Sequence, residues 1–173
     1  MLSRGKIQES GDGEAADSAL RKMALLDTTA IPLDLLSSTE RKAVLVLKQH
    51  ALVTVDDKDL VAMHSLTQLT VRGQTDKGDR QALAATVARA LVGRLAKFYP
   101  EKPATFFIGR RYAAQARAAA ANAAVWGLIP GSLALASPAH WEVYRAAPGG
   151  GLLGDVLEMC MSAGSSFQIV GGA

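Results

Sequence analysis

The sequence contains very little cysteine and few aromatic residues. Cys160 is the only cysteine among 173 residues, which excludes an internal disulfide and a cluster of zinc-binding thiolates. Aromatic residues make up 5% of the chain while hydrophobic residues reach 49%, so a core has to be built mainly from Leu, Val and Ala. A composition rich in alanine and poor in aromatics favours helices over sheets.

Long apolar runs are also missing. No stretch approaches the roughly 20 consecutive apolar residues that a membrane-spanning helix needs. The first residues, "MLSRGKIQESGDGEAADS", lack the apolar core of a secretory signal. We therefore expect a cytoplasmic protein that has no membrane partner.

The motifs of common catalytic and metal sites are absent as well. A phosphate-binding loop needs G-x-x-x-x-G-K-[ST], and the nearest fragment, "SRGKIQES", lacks the first glycine. Neither G-x-S-x-G nor H-E-x-x-H occurs. The acidic residues Asp56, Asp57 and Asp59 lack the glycine and distal glutamate of a calcium-binding loop. The sequence therefore predicts no enzyme, no catalytic residue and no metal site.

What the chain does contain begins with two amphipathic helices. One predicted helix places a set of apolar residues on a single face and ends before Ile31-Pro32, because a residue that precedes proline avoids the helical region; this set is Leu20, Met23, Ala24 and Leu26. Ser37 and Glu40 have the spacing of a capping box at the start of the second helix. Val44, Leu47 and Ala51 continue the buried stripe of that helix.

A change of period follows these helices. Two short β-rich runs, "LVTV" and "LVAM", flank a polar acidic turn and predict a hairpin. Ser65 is placed to cap the helix after it. Two helices, a hairpin and a further helix are the order of a winged-helix domain, which we assign to residues 18–75. The expected fold is mainly α, with this short β-hairpin and a helical hairpin behind it.

The remaining sequence divides into segments that differ in composition and apolar spacing. Residues 79–127 predict two antiparallel helices separated by "YPEKPAT", with Thr105 placed to cap the second helix. Residues 1–17 are polar and predicted to be disordered, and residues 128–173 form a weakly ordered tail rich in Gly, Pro and Ser. Charge is uneven, because residues 76–127 hold nine basic and three acidic side chains. We interpret this excess as a solvated helix face rather than a phosphate-binding surface.

The stretch "LVAMHSLTQLTVR" resembles a known signature. Met63-His64 with a polar residue next, then Leu66 and Gln68, is similar to the Met-His-Asp-type motif of STAND-class NTPases, at the strand-to-helix junction of the winged-helix domain that follows their NB-ARC core. "FYPEKPATFFIGRRYAAQARAAAANA" resembles the linker into their tetratricopeptide repeats. The chain differs in having Ser65 in place of the aspartate and in lacking the nucleotide-binding core.

This resemblance implies a regulatory role without catalysis. In the family the motif's histidine reaches toward the β-phosphate of bound ADP, so Met63, His64 and Ser65 become the candidate nucleotide-sensing residues, and Arg72 becomes a candidate support for the anion. An imidazole can donate a hydrogen bond to phosphate, and a helix start favours anions. No cofactor is expected in this chain alone; ADP or ATP is implied only where a core supplies it. The expected partners are an NB-ARC-type core and tetratricopeptide-like repeats.

Two alternatives remain open. His64 can instead be a packing residue whose ring lies beside Met63 and bonds to a local carbonyl. The domain can also be a winged-helix DNA-binding protein, since the helix before the hairpin carries Arg41, Lys42 and Lys48. Three aspartates at the hairpin turn would be repelled by phosphates, so nucleic acid is the disfavoured partner.

Overall fold

A computed structural model describes residues 13–95, 97 and 102–128. The chain divides into two compact units, one that ends at Leu83 and one that begins at Ala84. The expectations for residues 1–12 and 129–173 lie outside the described residues. Eight helices and strands follow along the described chain: α1 Gly13–Leu25, β1 Ile31–Pro32, α2 Ser38–Gln49, β2 Val53–Val55, β3 Leu60–Met63, α3 Ser65–Gln74, α4 Lys77–Leu95 and α5 Phe106–Val125.

The architecture is mainly helical with one small antiparallel sheet, which confirms the expected fold class at this level. The sheet has the strand order β1-β3-β2, so β3 lies in the middle. The predicted hairpin is confirmed, since Val53 pairs with Met63 and Val55 with Val61. Two short 3-10 turns, Leu33–Leu35 and Pro103–Thr105, complete the described elements.

Strand β1 is the element that sequence patterning missed. Ile31 pairs with Val61 and Pro32 with Leu60, in a register that joins residues about 30 positions apart. Proline cannot donate a ladder hydrogen bond, and its place on an edge strand is compatible with that loss. The pattern around Ile31-Pro32 indicated only the end of a helix, because a two-residue strand has no period of its own.

Helix α1 begins earlier than composition suggests. It starts at Gly13, and Ala16 is completely buried. Residues 13–17 were assigned to the disordered N-terminal segment, yet the structure places them in this helix. Two buried alanines on the same face, Ala16 and Ala19, explain the extension, because alanine packs closely and has the highest helix propensity. The rest of the predicted buried set is confirmed, each member being at most 2% exposed: Leu20, Met23 and Ala24 in α1, and Leu26 directly after it.

Helix α2 has well-defined ends. The Ser37 side chain accepts from the Glu40 amide while Glu40 Oε2 accepts from the Ser37 amide at 2.8 Å, so the predicted capping box is confirmed. At the other end, Leu52 N–H donates to the Leu47 carbonyl and Ala51 N–H to the Lys48 carbonyl, which is a Schellman motif. Ala51 is exposed and has φ 55°, so its expected place in the buried stripe is wrong.

The hairpin turn is stabilised locally. Asp56 Oδ1 accepts from the Lys58 amide at 2.9 Å and from the Leu60 amide at 2.8 Å. Asp59 adopts a left-handed conformation with φ 57°, which aspartate tolerates better than most residues do. Asp56 and Asp59 therefore suit the structure of this turn, the first by its hydrogen bonds and the second by its backbone conformation.

The second unit contains most of α4 and all of α5. The buried residues of α4 lie mostly three or four positions apart: Ala84, Val87, Ala88, Leu91 and Leu95. The buried residues of α5 are mostly small: Gly109, Tyr112, Ala113, Gln115, Ala116, Ala120 and Ala123. Thr105 does not cap α5, because its hydroxyl donates to the Lys102 carbonyl instead. That the two helices form an antiparallel hairpin stays a prediction.

Candidate functional site

The three residues of the candidate sensing motif lie at the junction of β3 and α3. Along β3 burial alternates, so Val61 and Met63 are both buried against the core. His64 and Ser65 follow the strand and are exposed. The structure thus separates the motif into one core residue, Met63, and two surface residues at a helix start.

His64 is the N-cap residue of α3. It has extended backbone angles, φ −61° and ψ 138°, and its Nδ1 accepts from the Leu66 amide at 3.2 Å. The prediction that Ser65 caps this helix is therefore wrong, since the cap is one residue earlier and Ser65 is the first helical residue. Because Nδ1 is the acceptor, the proton of the neutral ring is on Nε2, which leaves Nε2–H as a hydrogen-bond donor.

The opposite side of α3 contacts the carboxyl end of α1. The last carbonyl groups of a helix have no partner within it and need donors from elsewhere. Gln68 is 3% exposed, and its Nε2 donates to the carbonyls of Met23, Leu26 and Asp27 at 3.2, 3.2 and 3.0 Å. The resemblance included Gln68 but gave it no role. The structure shows that it joins α3 to the carboxyl end of α1.

Arg72 takes part in the same contact one turn later. Its Nη1 donates to the Ala24 carbonyl at 2.7 Å and to Gln68 Oε1 at 3.3 Å. Burial lowers the pKa of Arg72, and the negative end of the α1 dipole lies against its positive charge. His64 Nδ1 bonds within α3 whereas Arg72 Nη1 bonds across to α1, so the observed polar contacts of the two residues are separate.

Buried Glu40 connects α1 to α2. Its Oε1 accepts from Ser18 Oγ at 2.6 Å and lies 2.7 Å from Lys22 Nζ, and its Oε2 accepts from the Ser37 amide. Burial by itself raises the pKa of Glu40, but the hydrogen bonds from Lys22, Ser18 and Ser37 outweigh it and lower the pKa to about 2. The capping-box spacing identifies Glu40 from sequence, while its contacts with α1 appear only in the structure.

Two exposed leucines lie on the outer face of α3. Leu66 is 66% and Leu69 is 60% exposed, and Gly73 continues the same face. The one charged residue of α3, Arg72, contacts α1. An uncharged apolar face thus begins beside His64. Leucines three residues apart in "SLTQL" are the sequence signal for it, although the same spacing is also expected of a buried stripe.

The exposed face of α2 has the opposite chemistry. Arg41, Lys42 and Lys48 are all exposed, as the sequence predicts, and Leu45 between them is 64% exposed. This face is a cationic surface on the helix that precedes the hairpin. Asp57 and Asp59 are exposed at the neighbouring turn.

Within residues 13–95, 97 and 102–128, no three His, Cys, Asp or Glu side chains converge to hold a metal ion. Among the helices of that part of the chain, none combines the length and the apolar character that crossing a bilayer requires.

No protein-family model, no curated protein and no solved structure matches the chain.

Proposed function

We propose that the first unit is a winged-helix module of the kind found in STAND-class NTPases, acting as a non-catalytic regulatory and protein-interaction element. The strand order β1-β3-β2 supports this, because a helix, an edge strand, a second helix and a hairpin are joined in one small domain. A protein core of the NB-ARC type would be its partner and would supply ADP or ATP.

The observation that carries the proposal is that His64 is exposed and accepts a hydrogen bond through Nδ1. Its side chain is exposed at a helix start, and the cap through Nδ1 directs the ring proton to Nε2. An Nε2–H donor beside the positive end of a helix dipole is suited to a phosphate oxygen. The exposed Leu66 and Leu69 supply an apolar surface next to it for a partner protein to cover.

Arg72 has a supporting role in this proposal. It fixes α3 against the end of α1 through the Ala24 carbonyl, so it positions the helix that carries His64. We assign it to positioning the sensing residue rather than to direct contact with the anion.

The experiment separates sensing from capping. A STAND NTPase receives residues 13–95 of this chain in place of its winged-helix region, and the release rate of bound ADP is measured. His64→Ala removes both the cap and the imidazole, whereas His64→Asn keeps a good N-cap and removes only the imidazole. We expect both variants to release ADP faster by about 10- to 150-fold, because one hydrogen bond to a charged group is worth about 1.5–3 kcal/mol.

Thermal unfolding of the isolated chain provides the control. We expect His64→Ala to lose about 1 kcal/mol of stability and His64→Asn to lose almost none. If His64→Asn retains ADP as well as the unsubstituted chimera does, the imidazole senses nothing and His64 is a capping residue only.

Binding to duplex DNA is the second candidate function. The observation in its favour is the cationic face of α2, formed by Arg41, Lys42 and Lys48. Three phosphate contacts predict that the logarithm of the binding constant falls with the logarithm of salt concentration with a slope of about −2.7. Fluorescence anisotropy with a labelled duplex at about 50 mM salt measures this, and no binding there eliminates the candidate.

A further inference from the structure

One side of α2 faces away from the core. The buried residues of this helix lie together on the other side: Glu40, Ala43, Val44 and Leu47. At about 100° per residue, Leu45 is nearly opposite the centre of that buried side, and it is 64% exposed. Arg41 and Lys48 flank Leu45 on one edge, and both are exposed. Lys42 and Gln49, also exposed, flank it on the other edge. These five residues, which we call the α2 face, place one leucine between two edges that carry cations.

The cations of the α2 face are available to a partner. Within the part of the chain that the structure describes, no side-chain hydrogen bond or ion pair involves Arg41, Lys42 or Lys48. No acidic residue lies three or four positions from any of them, the separations at which side chains on a helix meet. The acidic residue of α2, Glu40, is buried against α1. A partner that covers Leu45 therefore has to bring negative charge to both edges, because burying a cation without a counter-charge is unfavourable.

We propose that the α2 face is a docking surface for an acidic segment of another protein, in which carboxylates lie on both sides of an apolar side chain. The apolar side chain packs on Leu45 and removes it from water, which contributes to affinity. The carboxylates pair with Arg41 and Lys48, about 10 Å apart along one edge, and with Lys42 on the other edge. A contact of this size belongs to the weak, transient class of interactions, and its affinity falls as salt screens the charges.

The charge distribution of the first unit favours a protein segment over nucleic acid. Residues 13–83 hold nine basic and ten acidic side chains. Nucleic-acid-binding domains are strongly basic as a whole, whereas a short segment responds mainly to charges within a Debye length of about 8 Å. The exposed Asp57 and Asp59 at the neighbouring turn would also repel phosphates. The inference does not rest on the role proposed for His64, and it competes with the DNA candidate for the same helix.

The test titrates the full chain onto a labelled peptide in which glutamates surround a central leucine. A second peptide carries glutamine in place of each glutamate, and a third carries serine in place of the leucine. Fluorescence anisotropy at about 50 mM salt measures binding, so that screening does not hide the ion pairs. We expect the acidic peptide with leucine to bind at least about tenfold more tightly than either of the other two.

Variants of the chain locate the peptide on the α2 face. The double variant Arg41→Glu, Lys48→Glu should weaken binding of the acidic peptide by about tenfold. The matched control is Lys77→Glu, Arg89→Glu, which changes two exposed cations of α4 and the net charge by the same amount, and should leave the affinity within about twofold. Leu45→Gln keeps the charge and the helix propensity of α2 and should weaken binding by about fivefold. Circular dichroism checks that each variant keeps its helix content.

Several results would overturn the proposal. One is no binding of the acidic peptide at about 1 mM. Another is equal binding of that peptide to the α2 double variant and to its α4 control, or unchanged binding to Leu45→Gln. Binding of duplex DNA that the α2 variant loses and the control keeps would instead make the face a nucleic-acid surface. Salt-sensitive dimers in analytical ultracentrifugation, lost in the α2 variant, would make a second copy of the chain the occupant.

Discussion

Three polar side chains of the first unit bond to α1 or to the residues that follow it, whereas the arginines of α5 are exposed. Gln68 and Arg72 donate to carbonyls at the end of α1, and Glu40 accepts from Ser18 and from the Ser37 amide. In α5, Arg110, Arg111 and Arg117 are exposed on a helix without acidic residues. Similar residue types therefore bond between helices in one unit and lie exposed on a helix of the other.

This difference has an energetic reason. A buried polar group that loses its partner destabilises the fold, because its desolvation is no longer compensated. An exposed arginine loses little when it is replaced, because water and salt screen its interactions. Substitution of Glu40 or Gln68 should consequently cost more stability than substitution of an exposed arginine.

The largest effect is expected at Glu40. Glu40→Ala leaves the Lys22 ammonium and the Ser18 hydroxyl without their acceptor and should cost about 3 kcal/mol of unfolding free energy. Chemical denaturation measures the loss, and amide hydrogen exchange shows whether α1 and α2 open while α5 stays protected. Glu14→Gln, an exposed residue of α1, is the control. A loss below about 1 kcal/mol would mean that the contrast between the units is wrong.

The same residue predicts a pH dependence. The pKa of Glu40 falls from 4.5 to about 2 on folding, so its contribution is complete above pH 4.5 and is lost as the pH falls toward 2. A shift of this size corresponds to about 3 kcal/mol. The stability difference between the unsubstituted chain and Glu40→Gln should shrink over this window. A difference that stays constant from pH 6 to about pH 3 would contradict the assignment.

A smaller loss is expected at Gln68. Gln68→Ala removes the donor to three carbonyls near the end of α1 and should cost about 2 kcal/mol. Gln49→Ala, at the exposed end of α2, should change stability by less than about 0.5 kcal/mol. Urea denaturation followed by circular dichroism compares the two variants. Equal effects would show that α1 does not depend on this contact.

The smallest effect has the opposite sign. Ala51 has φ 55°, a conformation that costs an L-residue about 1–2 kcal/mol and that glycine adopts freely. Ala51→Gly should therefore stabilise the chain by about 0.5 kcal/mol after the entropic cost of glycine is subtracted. Ala121→Gly, on the exposed face of α5, should destabilise by about 1 kcal/mol. Thermal unfolding of the pair tests the sign, and two losses would contradict the left-handed assignment.

Local patterns in the sequence predicted much of this fold. Apolar spacing located the buried faces of α1 and α2, and the three-residue spacing of Ser37 and Glu40 fixed the start of α2. Two short β-rich runs on either side of a polar acidic turn located the hairpin. These features are local, because each depends on residues within a few positions of one another.

The sequence located the candidate site but did not identify which residue caps α3. The strand-to-helix junction at His64 is where the pattern placed it. Ser65 was expected to cap α3 because serine is a better N-cap than histidine in general. The structure selects His64 because the helix begins one residue earlier, where β3 leaves the sheet. The position of the helix start relative to β3 determined which residue is the N-cap of α3. N-cap propensity alone did not predict it.

The sequence by itself determined the helical class, the buried stripes, the hairpin and the single-signed charge of α5, because these follow from composition and short-range spacing. Tertiary structure alone decided that Ile31-Pro32 pairs with β3 and that Gln68 and Arg72 close the end of α1. Those contacts join residues 28 to 48 positions apart. A polar side chain hydrogen-bonds to whichever backbone group the completed fold brings within about 3 Å of it. The residues next to it in sequence do not determine which group that is.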